Sequence, residues 1–88
     1  MRGAMADLVV DLTVREIGRA AEEVLGQPVT VTPETDIARD LSVDSLALMN
    51  IVMELEDKFD LSIPLDRMAD VQTVGQLAAL IDELRTKV

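Results

Sequence analysis

The sequence predicts an all-α domain: a four-helix bundle with three longer helices, one short helix and a long loop between the first two. Three observations lead there. Apolar residues recur at spacings of three and four in three separate stretches, which is the period of helices with one buried face. The chain is 49% hydrophobic, yet Phe59 is its only aromatic residue, so the core must be built from Leu, Val, Ile, Ala and Met, which favours helix-on-helix packing over a β-sandwich. Finally, 88 residues suffice for one domain, and single apolar stripes can all be buried only by enclosing a shared core.

Residues 1–6 show no periodicity and no long apolar run, and are expected to form a flexible leader, with Met5 able to serve as a start; residues 7–88 form the single domain. In the first helix Val14, Ile17, Ala21, Val24 and Leu25 share a stripe. Thr13 and Glu16 have capping-box spacing, although residues 8–12 can extend the helix upstream. Gly26 can take a left-handed C-cap and Pro28 opposes continuation, so the helix stops near Leu25. Residues 26–43 are then an eighteen-residue connection, longer than the roughly 12–15 residues usual in compact domains. Val29, Val31, Ile37, Leu41 and Val43 can pin it across the helix ends.

The second helix begins at Asp44 or Ser45 and buries Leu46, Met49, Val52, Met53, Leu55 and Phe59, with Met49, Met53 and Met68 as core-filling side chains. A break at residues 60–64 leads through Pro64 into a short helix over 65–69. The last helix has Thr73 as N-cap with Gln76 three residues on. It buries Val74, Leu77, Ala78, Ile81 and Leu84 and ends with Arg85 and Lys87, cations suited to its negative end.

Seventeen acidic residues against eight basic ones give a net charge of −9, which disfavours nucleic acid and anionic membrane surfaces as partners. No apolar run is long enough for membrane insertion. There is no His, the commonest general base and metal ligand, so autonomous acid–base catalysis is disfavoured and no metal site is expected. Asp36, Asp40 and Asp44 lack the spacing and loop glycine of an EF-hand. The absence of Cys fits a reducing compartment and leaves no thiol of the chain's own.

Ser45 is the residue to explain. It stands where the loop becomes a helix, and there the unpaired N–H groups and the helix dipole favour a bound anion such as a phosphate ester. The plain reading is that Asp44 and Ser45 are helix caps on an unmodified helical adaptor whose second helix fits a partner groove.

The surrounding residues favour the phosphate. Asp40-Leu41-Ser42-Val43-Asp44-Ser45-Leu46, a helix over 47–59, Asp60-Leu61-Ser62-Ile63-Pro64 and Thr73-Val74-Gly75-Gln76-Leu77 resemble, along nearly the whole chain, the acyl carrier protein family, whose pattern is Asp-Leu-Gly-x-Asp-Ser-Leu. The resemblance implies 4'-phosphopantetheine on Ser45, flanked by Asp44 and Leu46. A phosphopantetheinyl transferase holding its own Mg²⁺ would attach it. It further implies a cytoplasmic, monomeric carrier without turnover of its own, serving acyl-loading, condensing or transferring enzymes in fatty-acid or related lipid biosynthesis. Carriers of amino-acid or polyketide units share the same serine and fold. Leu46, Met49, Val52, Phe59, Met68 and Val71 are expected around a sheltered acyl chain. Ala47, Asn50, Glu54, Glu56, Asp57, Leu65, Asp66 and Ala69 are expected on the partner-facing surface. Two departures stand out. Ser42 replaces the family's usual glycine, so a positive-φ backbone there would be harder to adopt. Ala47, Asn50, Leu65 and Ala69 fall where housekeeping carriers typically have carboxylates, which points to a specialised member.

Overall fold

A computed structural model describes residues 4–86, whose regular elements are all helices joined by loops: α1 Ala4–Leu25, α2 Ile37–Asp40, α3 Ser45–Phe59, α4 Leu65–Met68 and α5 Val74–Thr86. The first helix starts at Ala4, inside the stretch expected to be a leader; residues 1–3, and Lys87 at the other end, lie outside the described residues. Because α1 continues through residues 8–12, Thr13 is not its cap. It is buried in mid-helix, and its hydroxyl donates to Asp82 Oδ1 at 2.9 Å, tying α1 to α5. Val14, Ile17, Ala20 and Ala21 are buried, and Val24 and Leu25 pack against the core at its edge. The helix ends as expected, with Gly26 at φ +72 donating its N–H to Glu22 O at 2.8 Å.

The long connection contains an element the periodicity could not show. Its four-residue helix α2 is held by side-chain caps: Asp36 Oδ1 accepts from Arg39 N and Asp40 Oδ2 accepts from Asp36 N, both at 2.8 Å. Ile37 N donates to Gln72 O and Val74 N donates to Thr35 O, each at 2.9 Å, so Asp36 and Thr73 form an isolated antiparallel bridge onto the start of α5. Gly75 is required beside it: its N–H meets Pro33 O at 2.8 Å, and a Cβ there would come within 2.7 Å of the same oxygen. Buried Ile37 and Val43 complete the seam.

On α3 the buried face is rotated from the expected one. Ile51, Val52 and Leu55 are buried, whereas Leu46, Met49 and Met53 are exposed, so Met49 and Met53 are not core-filling side chains. The helix is apolar around much of its circumference between residues 46 and 55, and spacing alone could not choose the inward face. Phe59 is half-buried rather than central, its ring 5.2 Å from the Arg85 guanidinium. Asp60, at φ 55, closes α3 with its N–H on Glu56 O. The expected 65–69 helix stops one residue early; of its side chains Met68 is buried and Leu65 exposed. The capping box of α5 is present, with Gln76 N donating to Thr73 Oγ1 at 3.1 Å and Thr73 N to Gln76 Oε1 at 3.0 Å. Val74, Leu77, Ala78 and Ile81 are fully buried, as expected, with Leu80 beside them and Leu84 packed at the edge. No described helix is long and apolar enough to cross a membrane.

Candidate functional site

The loop delivers the chain to α3 through a left-handed residue. Ser42 has φ 54, a conformation that costs an L-residue roughly 1–2 kcal/mol and glycine almost nothing. The departure from the family glycine thus falls on a position that needs one. Ser42→Gly is expected to raise stability by up to about 1 kcal/mol, the strain relief being partly offset by glycine's greater freedom when unfolded; a lowered denaturation midpoint would instead give the Ser42 hydroxyl a role.

Past buried Val43, Asp44 takes an extended backbone and its Oδ1 accepts from Ala47 N at 2.8 Å, so Asp44 is the N-cap. This engages the carboxylate and leaves Ser45 as the first helical residue, exposed, with no hydrogen bond to its hydroxyl among the described residues. The position offers an accessible hydroxyl at the positive end of a fifteen-residue helix. Asp36, Asp40 and Asp44, spaced by four, all serve as backbone acceptors at the loop's turns. Among the described residues no three acidic side chains come close enough to hold a metal ion.

Ser45 borders a cavity of about 200 Å³ lined otherwise by Leu48, Met49, Val52, Leu65 and Met68, in which it supplies the only polar side chain. A second cavity, of about 180 Å³, lies under α2 and is lined by Asp36, Ile37, Ala38, Val43, Leu48, Met68, Val71 and Gln72. Of the residues expected around an acyl chain, Met49, Val52 and Met68 line the first cavity and Val71 the second. Leu46, 71% exposed, and Phe59, at the far end of α3, line neither. Leu48 borders both cavities and was missed, although its place three residues after Ser45 and four before Val52 puts it on the Ser45 face of the helix.

The expected partner surface divides similarly. Asn50, Glu54, Asp57, Leu65, Asp66 and Ala69 are exposed, and Ala47 is half-buried. Glu56 turns inward to accept from Ile63 N at 2.8 Å, which fixes the turn between α3 and α4. Exposed Leu46, Met49, Met53 and Leu65 give the surface around Ser45 an apolar character. Further along α3 the carboxyl of Glu54 is held above its ordinary value, chiefly by a hydrogen bond with Glu23 of α1 and by that neighbour's charge, with Asp57 adding and Lys58 opposing.

An exposed hydroxyl at a helix N-terminus, opening on an apolar cavity, fits a phosphate-linked arm with an apolar cargo. Comparison with known proteins places the chain in a family. Residues 15–81 match the family described as "Phosphopantetheine attachment site". The chain is 64% identical over 81 residues to the "Probable acyl carrier protein" of Caulobacter vibrioides, covering 92% of this chain and 94% of that one. It is 39% identical over 69 residues to the "Meromycolate extension acyl carrier protein" of Mycobacterium tuberculosis, covering 77% of this chain and 60% of that one. The solution structure of holo acyl carrier protein from Geobacter metallireducens superposes with a TM-score of 0.76 at 27% identity, over 85% of this chain and 87% of that one. The chain therefore belongs to the acyl carrier protein family, whose members bear a 4'-phosphopantetheine prosthetic group and work with phosphopantetheinyl transferases and acyl-handling enzymes in lipid biosynthesis.

Proposed function

We propose that Ser45 is the attachment residue and that this is a specialised carrier, monomeric and cytoplasmic, whose chemistry is performed by its partner enzymes. The observation that carries the first part is the exposed Ser45 hydroxyl, without a hydrogen bond among the described residues, beside the apolar cavity. When bound, 4'-phosphopantetheine supplies a terminal thiol on which acyl groups travel as thioesters. The protein's own residues do the rest. Asp44 fixes the start of α3 so that Ser45 faces outward, the first-turn N–H groups offer donors to the phosphate, and Met49, Val52 and Met68 keep water from an apolar cargo. Incubation with a phosphopantetheinyl transferase and coenzyme A should raise the intact mass by one phosphopantetheine. An unchanged mass would favour the helical-adaptor reading instead.

The second part rests on exposed Leu46, Met53 and Leu65, together with uncharged Ala47 and Asn50, on the face where housekeeping carriers present carboxylates. Rim charges mainly set encounter rate and partner choice, so a face with fewer of them suits a dedicated enzyme with a more apolar contact. With the same acyl group on this protein and on a housekeeping carrier, a general condensing enzyme should turn this one over more slowly at low salt, and Ala47→Asp with Asn50→Glu should restore part of the rate. Equal rates for the two carriers would refute specialisation.

A further inference from the structure

We propose that the groove between α1 and the loop over residues 28–31 docks an acidic, extended segment of a partner protein, one that carries two carboxylates two residues apart. The groove has a volume of about 440 Å³, with Arg15, Gly18 and Arg19 on its α1 side and Val29, Thr30 and Val31 on its loop side. This surface is separate from Ser45. Glu16, beside Arg15, lies against Lys58 in the last turn of α3, roughly 20 Å along that helix from Ser45 at 1.5 Å per residue. A partner held here leaves the hydroxyl free.

Charge selects an acidic occupant. Lys58, Arg67 and Arg85 each lie against a carboxylate of the chain. Arg15 has no ion pair among the described residues, and the exposed Arg19 has only a 3.9 Å contact with Glu16, whose carboxylate Lys58 approaches at 3.0 Å. Glu22, the one carboxylate lining the groove, accepts from Val29 N at 3.1 Å. Two guanidiniums one turn apart are thus short of counter-charge on a chain of net charge −9. Their planar forks suit carboxylates. The screening length at physiological salt is about 8 Å, so remote carboxylates of the chain repel an acidic segment little while its direct contacts persist.

Shape selects an extended one. Val29 N reaches Glu22, and Val31 lies over Gly18, where an added Cβ would come within 2.9 Å of Val31 Cγ2. Glu22 to Gly18 spans about 6 Å of helix and Val29 to Val31 about 6.6 Å of extended chain, so the loop runs antiparallel to α1 in strand-like form. Half-buried Val29 and Val31 alternate with exposed Thr30 accordingly. Arg15 and Arg19 are also about 6 Å apart along the axis, which matches residues i and i+2 on one face of a strand. A segment laid beside the loop sets alternate carboxylates on the two guanidiniums and rests its apolar residues on Val29 and Val31. A small free anion would leave that apolar wall unused. Thr30, with no hydrogen bond to its N–H or hydroxyl among the described residues, adds donors.

The test uses the full chain and a fluorescent peptide of pattern Thr-Val-Glu-Val-Glu-Val-Thr, followed by anisotropy at physiological salt and by backbone amide shifts. Saturable binding is expected, with shifts at Arg15, Arg19 and Thr30 and none at Ser45 or Met49. Replacing both Glu of the peptide by Gln should abolish binding, and placing the two Glu side by side should weaken it several-fold. Arg15→Gln combined with Arg19→Gln should weaken the first peptide roughly tenfold. Both side chains are exposed, so the denaturation midpoint should stay at the wild-type value. Arg39→Gln, which removes an exposed cation outside the groove, should change nothing. No saturable binding, shifts confined to α3, or equal weakening by Arg39→Gln would each overturn the proposal. Equal affinity for the peptide with adjacent Glu would overturn the extended geometry on which it depends. Displacement of the peptide by inorganic phosphate at a similar concentration would make the groove a simple anion site and overturn it as well.

Discussion

Ser45→Ala is expected to remain entirely unmodified by a phosphopantetheinyl transferase and coenzyme A, under conditions in which the wild-type protein gains one phosphopantetheine, and to remain as stable as the wild type. Both halves of that result come from the start of α3. The cap that satisfies Ala47 N belongs to Asp44, so removing the Ser45 hydroxyl costs no capping bond, and alanine is at least as good a helix former. Asp44→Ala gives the complementary result: loss of about 0.5–2 kcal/mol of stability with the nucleophile still present. Ser42 and Ser62 are also exposed and serve as internal controls, since neither begins a long helix. A mass increase in the Ser45→Ala protein would move the attachment to one of them and remove the central assignment.

The parts of this fold that were legible in the sequence are those in which the local signal and the tertiary demand coincide. Gly26, left-handed at the end of α1, and Thr73 with Gln76, hydrogen-bonded at the start of α5, carry terminus signals that the structure uses as such, and the stripe Val74, Leu77, Ala78 and Ile81 combines a helical period with burial. The misreadings have a common physical origin. Around residues 46–55 the second long helix is apolar on too many sides for spacing to choose a face, and the choice is made by packing against α1, with which α3 shares its main helix contact. Thr13 looked like a cap because its hydroxyl is a good acceptor for a free N–H; in the fold the hydroxyl instead donates across to Asp82, sixty-nine residues away, a partner that no local pattern shows. α2 was hidden for the same reason, its position being set by hydrogen bonds from Ile37 and Val74 across to another part of the chain. Ser45 could be singled out from sequence because its motif is local. The second cavity could not, because it exists only where Leu48, Met68 and the loop meet.

Truncation of Leu55 is expected to be the most damaging single change among the α3 side chains, and it tests the rotated face directly. Leu55 is fully inaccessible and lies in the cluster with Ile51, Ile17, Leu77 and Ile81. Leu55→Ala should therefore cost about 2–5 kcal/mol, the range for buried leucines whose cavity the surroundings cannot fill. A small domain holds roughly 5–15 kcal/mol in all, so the variant would lose a large share of its stability. Phe59 supplies the comparison, because a fully buried phenylalanine would cost about 3–5 kcal/mol on truncation. Phe59 is only half-buried, and its ring meets the Arg85 guanidinium at 5.2 Å, a contact worth about 0.5–1 kcal/mol at an exposed site. Phe59→Ala should thus fall below the range for full burial and below Leu55→Ala, even though it removes more atoms. Met53→Ala, on the exposed side of the same helix and 60% accessible, should move the midpoint least. Urea denaturation of the three variants orders them. If Met53→Ala proved the most harmful, the inward face of α3 would be the one that carries Leu46, Met49 and Met53, and the cavity beside Ser45 would have to be redrawn around a different set of side chains.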